Sequence, residues 1–266
     1  MGIVDTAKNV RLALADAAIP TRLVFHHVPK CGGTSVGRAL RKRYILSQAT
    51  VRPDESFRAF EAFSARSDRA AMLIDVADLR EQMLLYHLFD DVRCISLHVA
   101  FSDVAYERFY DRYKFVTILR EPVARFVSHY FWSYGKQGDY AIIDEDFADF
   151  LQTDRARRLG ASYVEYYSGQ PKAPDLADPA LIEKAVANLR EKFSVVGRLE
   201  DLPGFTADLK RELGVGVRVG HENKGRQPKD TRKSTITPEL MEQVRKLCAP
   251  DIAVWDAYFK PGQTHG

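Results

Sequence analysis

Two patterns of apolar and polar positions alternate along the chain. Leu23, Val24, Phe25 and Val28 form a short apolar run between Pro20 and Pro29, the pattern of a strand buried on both faces. Directly after it, Val36, Ala39, Leu40 and Tyr44 recur at three-to-four spacing within residues 35–44, which predicts a helix with one buried face. The same succession returns downstream. "RCISLHVAF" and "KFVTILR" are strand-like, and "EPVARFVSHYFW" follows with proline where a first helical turn tolerates it. "FSVVGRL" is a last strand candidate, preceded by the helical pattern of "DPALIEKAVANLREKF". Between the first two strands, residues 54–89 read as helical, with Val76, Leu79, Met83 and Tyr86 as the expected core face. Strands interleaved with helices predict an α/β fold: a three-layer, P-loop-like domain whose central, mostly parallel sheet is flanked by helices.

Turn formers crowd residues 168–179, "SGQPKAPDLADP", and predict a surface loop or lid. "HENKGRQPKDTRK" has no apolar face and predicts a basic loop, followed by a terminal helix opened by Thr237 and Pro238. No repeat or low-complexity tract interrupts the pattern. We expect an N-terminal segment over 1–20 and a single domain over 21–266.

Composition narrows the classes. With 266 residues, 45% of them hydrophobic, the chain can bury a large core without disulfides or metal. A net charge of +3, from 39 basic and 36 acidic residues, gives no ground for nucleic acid as a partner. Cys31, Cys94 and Cys248 are odd in number and widely spaced, which favours a reducing, cytoplasmic location over a disulfide framework or zinc site. No apolar run reaches the roughly 20 residues of a membrane span. The opening "MGIVDT" fits an N-myristoylation pattern, one short enough to recur by chance.

Chemistry concentrates at "HHVPKCGGTS", where Lys30, Cys31, Gly32, Gly33, Thr34 and Ser35 occupy a strand-to-helix turn. Glycines permit close backbone approach, the helix start contributes positive potential, and lysine and hydroxyls add donors, so the stretch is suited to an oxyanion. The same residues also describe a tight turn with an N-cap at Thr34 or Ser35. A Walker A loop is disfavoured, because the lysine precedes the glycines. A second piece, "VTILREPVARFVSHY", sets Arg120 at a strand end and Ser128 eight residues on, a fork and a hydroxyl able to clasp a phosphate monoester; a plain ion pair and a plain helix serine are the alternatives.

Together the two pieces resemble the sulfotransferases that use 3′-phosphoadenosine 5′-phosphosulfate (PAPS), in the branch of the carbohydrate 2-O-sulfotransferases and related bacterial enzymes. "HVPKCGGTS" is similar to that family's 5′-phosphosulfate loop and "LREPVARFVSHY" to its 3′-phosphate motif; softer likeness runs through "ANLREKFSVVGRLEDLPGF" and the final helix. Glu121 stands where the family more usually has aspartate, and Arg198 interrupts a Val-Gly-Leu-x-Glu stretch. The resemblance implies in-line transfer of a sulfuryl group to an acceptor hydroxyl, on a carbohydrate or glycolipid, with 3′,5′-adenosine diphosphate (PAP) as product and no metal. It implies cofactor contacts from residues 30–35, Arg120 and Ser128, and transition-state stabilisation by Lys30. His98, at the end of a strand, matches the family's base; His27 is the competing candidate, and His26 is expected on the opposite face. Lys224 and Arg226 loosely resemble a cofactor-gripping segment and equally describe a solvated loop or an acceptor contact. Cys31 reads first as a small packing residue that confers sensitivity to thiol reagents, although helix potential and Lys30 could lower the pKa of its thiol. A nucleotide-dependent phosphotransferase and a non-catalytic nucleotide-binding module are the rival readings.

Overall fold

The computed structural model describes residues 19–136, 141–220 and 236–260, with Thr6, Val10 and Ala13 of the N-terminal segment. Its framework is a five-stranded sheet, with strands β1 (Arg22–His26), β2 (Gln48–Val51), β3 (Cys94–Leu97), β4 (Tyr113–Leu119) and β5 (Val195–Arg198). The spatial order is β2-β3-β1-β4-β5 and every pairing is parallel. β1 is therefore central, and the chain leaves it first toward β3 and β2 and later toward β4 and β5. Ligands of open α/β sheets gather at the carboxyl ends of strands beside such a reversal.

The helices are α1 (Gly33–Arg43), α2 (Pro53–Ser64), α3 (Arg69–Phe89), α4 (Asp103–Phe109), α5 (Pro122–Ser133), α6 (Phe147–Phe150), α7 (Asp154–Gly160), α8 (Ser162–Tyr167), α9 (Pro179–Glu191), α10 (Leu202–Leu213), α11 (Pro238–Leu247) and α12 (Ala249–Phe259). Strand periodicity sorts them into layers. Leu23 and Phe25 pack with Val36 and Leu40 of α1 and Phe205 and Leu209 of α10 on one face. Val24 turns to the other face, with Leu84 and Leu88 of α3, Tyr163 and Tyr167 of α8, Leu189 of α9 and Val254 of α12. The three-layer α/β expectation holds. A satellite core joins α5, α6, α7 and α11 through Phe126, Phe147, Phe150 and Val244.

Two details differ from the sequence reading. β2 does not follow from periodicity, since "QATV" is a four-residue edge strand with only Val51 fully buried. The inward ridge of α3 is Met72, Val76, Arg80, Leu84 and Leu88, at strict four-residue spacing, while Tyr86 is 67% exposed. Arg80 on that ridge broke the apolar pattern and shifted the expected face to Leu79, Met83 and Tyr86. Residues 168–178 form a loop, held to α3 by Lys172, which pairs with Asp78 and, at 3.7 Å, with Asp75.

Candidate active site

Residues 27–32 carry the chain from β1 into α1. Lys30 (φ 72°) and Gly32 (φ 76°) are both left-handed; for lysine that region costs on the order of 1 kcal/mol and persists only where neighbours impose it. The neighbours are close. A Cβ on Gly32 would stand 2.5 Å from Leu199 Cδ1, just after β5, and one on Gly33 would stand 1.8 Å from the His27 ring. Gly32 occupies the N-cap position of α1 and no side chain caps the helix, so Thr34 and Ser35 do not take the cap role their residue types allow. The Ser35 N–H donates to the Gly32 carbonyl at 3.2 Å, so the amides of Gly33 and Thr34 and the positive end of the dipole are the groups suited to an anion.

Arg120 enters from β4. Its Nη1 donates to the Lys30 carbonyl at 3.3 Å. The Tyr163 hydroxyl fixes its backbone, accepting from the Arg120 N–H at 3.0 Å and donating to the Arg120 carbonyl. Glu121 caps α5, its carboxylate accepting from the N–H groups of Val123 and Ala124 at 3.1 and 2.7 Å, and its own N–H donates to Glu200 at 3.1 Å. The glutamate thus serves as an N-cap, a role for which aspartate is also suited. Ser128 is half-buried on α5. One helical turn further, Trp132 carries Lys30 Nζ 5.1 Å and Lys136 Nζ 4.3 Å from its ring centroid, so two ammonium groups meet one indole ring beside the loop.

The histidines separate as strand alternation requires. His26 lies among Phe101, Phe115 and Phe193, while His27 stacks on Phe25 and meets His98 at a 42° tilt, with the two imidazole centroids 4.0 Å apart. Burial pulls His98 down to about 3, helped by the Arg80 charge and opposed by a backbone hydrogen bond to His27. His27 is lowered well below the usual value by burial, then by His98, Lys30 and Arg41. Both rings are neutral at pH 7. His98 Nδ1 is buried without a hydrogen-bond partner.

Cys31 takes the packing role and not that of an activated thiol. Its side chain is fully buried, with Sγ 3.7 Å from the Tyr163 hydroxyl, and burial pushes the thiol up to about 11 rather than down. Its side chain is a packing element, which leaves only its backbone for a cofactor. Arg198 sits 5.5 Å over the Phe259 ring of α12.

A cavity of about 340 Å³ opens against this loop, bordered by Pro29, by Arg80 and by His129 of α5. No local pattern singles out His129, because its neighbours come from α3, α7 and α8. His129 is lowered to about 3, by burial first and then by the charges of Arg125, Lys30, Lys136 and Arg155, and its Nδ1 is buried without a partner. His98, the expected base, is not in the lining. Lys224 and Arg226 lie outside the described residues. Among the described residues no group of three or more His, Cys, Asp or Glu is placed to hold a metal ion, and no helix is long and apolar enough to cross a membrane.

A parallel α/β sheet with a left-handed lysine loop on its central strand and an arginine bridging to it from the next strand defines an anion-handling, group-transfer class of protein. The chain belongs to the sulfotransferase family, whose model matches residues 18–259. It is also similar to the uronyl 2-sulfotransferase of Mus musculus, at 25% identity over 250 residues, 84% of this chain and 58% of the relative; the chain thus spans little more than half the length of that relative.

Proposed function

We propose that this protein transfers a sulfuryl group from PAPS to a hydroxyl of a carbohydrate or glycolipid. The observation that carries the reading is the Lys30 loop joined by Arg120 to the end of β4, with an uncapped helix start between them. The name of the mouse relative, a uronyl 2-sulfotransferase, supports a carbohydrate acceptor.

PAPS supplies the activated sulfuryl group when bound. Lys30 and the amides of residues 32–34 would hold the 5′-phosphosulfate, with the hydroxyls of Thr34 and Ser35 as further donors. With PAPS bound, the Lys30 ammonium would stabilise the negative charge of the departing phosphate more in the transition state than in the ground state. Arg120 and Ser128 hold the 3′-phosphate, a group that ATP lacks. His98, neutral and with a bare Nδ1, takes the acceptor proton, and the adjacent His27 ring restricts its orientation. Cationic side chains and backbone donors serve here where a phosphotransferase employs magnesium.

Ligand-induced stabilisation tests the donor. PAP should raise the thermal midpoint and ATP should not, because only a ligand that selects the native state stabilises it. Arg120→Ala should weaken PAP binding by about 1.5–3 kcal/mol, the scale of a hydrogen bond to a charged group. Equal protection by ATP, or unchanged PAP affinity in a folded Arg120→Ala protein, would refute the phosphate assignment.

A further inference from the structure

The cavity beside the Lys30 loop has a character that the donor site does not explain. It reaches the loop at Pro29 and extends away between α3, α5, α7 and α8, and its walls are set by Leu73, Ile74, Ile143, Phe150, Leu159 and Tyr166. Three arginines also border it, yet each is already answered by protein. Arg158 donates to Glu165 at 3.0 Å and to the Pro171 carbonyl. Arg155 donates to Glu145 at 3.2 Å and to the Ile142 carbonyl at 2.6 Å. Arg80 donates to Ser56 at 2.9 Å and to the Pro53 carbonyl at 3.2 Å. Arg158 and Arg155 are thus met by carboxylates and Arg80 by neutral oxygens, so most of the guanidinium charge of the wall is already paired.

From this we infer that the acceptor is an amphiphile: its hydroxyl-bearing head lies at the Pro29 and His129 end, toward the anion loop, and an apolar arm fills the cavity. The reading rests on the proposed sulfuryl transfer and departs from an acidic sugar chain as acceptor. An acidic chain needs a run of guanidinium groups without carboxylate partners along its path, whereas here two of the three are paired with Glu145 and Glu165 and all are separated by aliphatic and aromatic surface. A volume of about 340 Å³ is at the lower end for small-molecule sites, whose walls are mostly apolar with a few convergent polar groups. His129, which lines the cavity and stands close enough to Lys30 to feel its charge, is the polar group available to orient the head.

The test uses PAP-saturated protein and a graded series of probes: glucose, glucuronic acid, and butyl, hexyl and octyl glucoside. Affinity is read by calorimetry, and sulfate transfer is read with labelled PAPS. Each methylene that enters the cavity contributes about 0.8 kcal/mol at most, or up to about fourfold in affinity, so affinity should climb along the alkyl series. In Ile143→Glu and Ile74→Glu that climb should flatten while PAP affinity stays as in the unmodified protein. An affinity independent of chain length, or tightest binding by glucuronic acid, would overturn the inference. Failure of PAP itself to bind would instead strike the donor reading, and the alkyl series measured without PAP still decides whether the cavity takes an apolar arm.

Discussion

His98 shows how burial selects a protonation state before any substrate arrives. Only an acceptor favours a protonated ring, so the His27 backbone group that raises His98 is its carbonyl. Nδ1 is the ring nitrogen left without a hydrogen-bond partner. Because the group is pulled to about 3, it stays in the basic, unprotonated form across pH 5–8. We expect kcat/KM, which reports the free enzyme, to lack an acid limb near the ordinary histidine value of 6.5. The negative charges of bound PAPS act in the opposite direction, so any limb in kcat should lie at higher pH than that in kcat/KM. His98→Ala should lower kcat by about 10² or more with PAP affinity intact; pH–rate profiles and PAP titrations of both proteins check this, and a kcat/KM limb at 6.5 that survives in His98→Ala would move the base elsewhere. The order of residue types in 26–35 was legible in the sequence because a strand-to-helix anion turn is local. The seat of Cys31 against Tyr163 and the place of His129 were not, since both depend on side chains distant in sequence.

Among the elements, the join of α5 and α12 bears most directly on the site. Arg125 and Asp251 are both fully buried and meet at 3.2 Å; Asp251 also accepts from the Tyr163 N–H at 2.7 Å, and the Arg125 guanidinium lies 5.4 Å over the Tyr163 ring. Tyr163 in turn fixes Arg120, so the pair anchors the anion loop through α8. Burial, with a smaller push from Glu165, drives the Asp251 carboxyl up to about 7 against the pull of Arg125, a sign that desolvation offsets much of the attraction. Arg125→Leu should therefore destabilise by about 3–5 kcal/mol, because it strands a buried acid, and adding Asp251→Asn should restore a good part of that. Urea unfolding of the single and double variants measures it, and simple additivity would refute the coupling. The pairing could not be read from sequence at a separation of 126 residues, whereas α5 itself was legible from Pro122 and its spacing. The edge strand β2 was not, being too short and too polar to show a period.

For the whole molecule, the buried histidines set the response to acid. Burial lowers His26 to about 4 and His98 and His129 to about 3, all below the unfolded value of 6.5. Below pH 6.5 the unfolded chain then binds more protons than the folded one, so stability is lost as pH falls from there toward the folded values. Asp251, raised from 3.8 to about 7, acts oppositely between those values and cancels about one proton. His27, also lowered well below 6.5, makes a fourth such ring, so the net uptake on unfolding approaches about three protons, roughly 4 kcal/mol per pH unit, and the urea midpoint should fall steeply from pH 6.5 to pH 5. A flat midpoint over that interval would contradict the burial of these rings as neutral groups. The three-layer plan was open to the sequence because each strand-helix unit carries its own period, while the strand order depends on pairings between distant segments. The cysteines add a kinetic reading. Cys31, Cys94 and Cys248 are all buried free thiols, and burial pushes them up to about 11, 12 and 12. Alkylation by a thiol reagent must then wait for each site to open, which makes the order of labelling a clock of local unfolding at the anion loop, the sheet and the α5–α12 join. PAP should slow the Cys31 step selectively, and mass spectrometry of timed quenches would time all three openings in the unmodified protein.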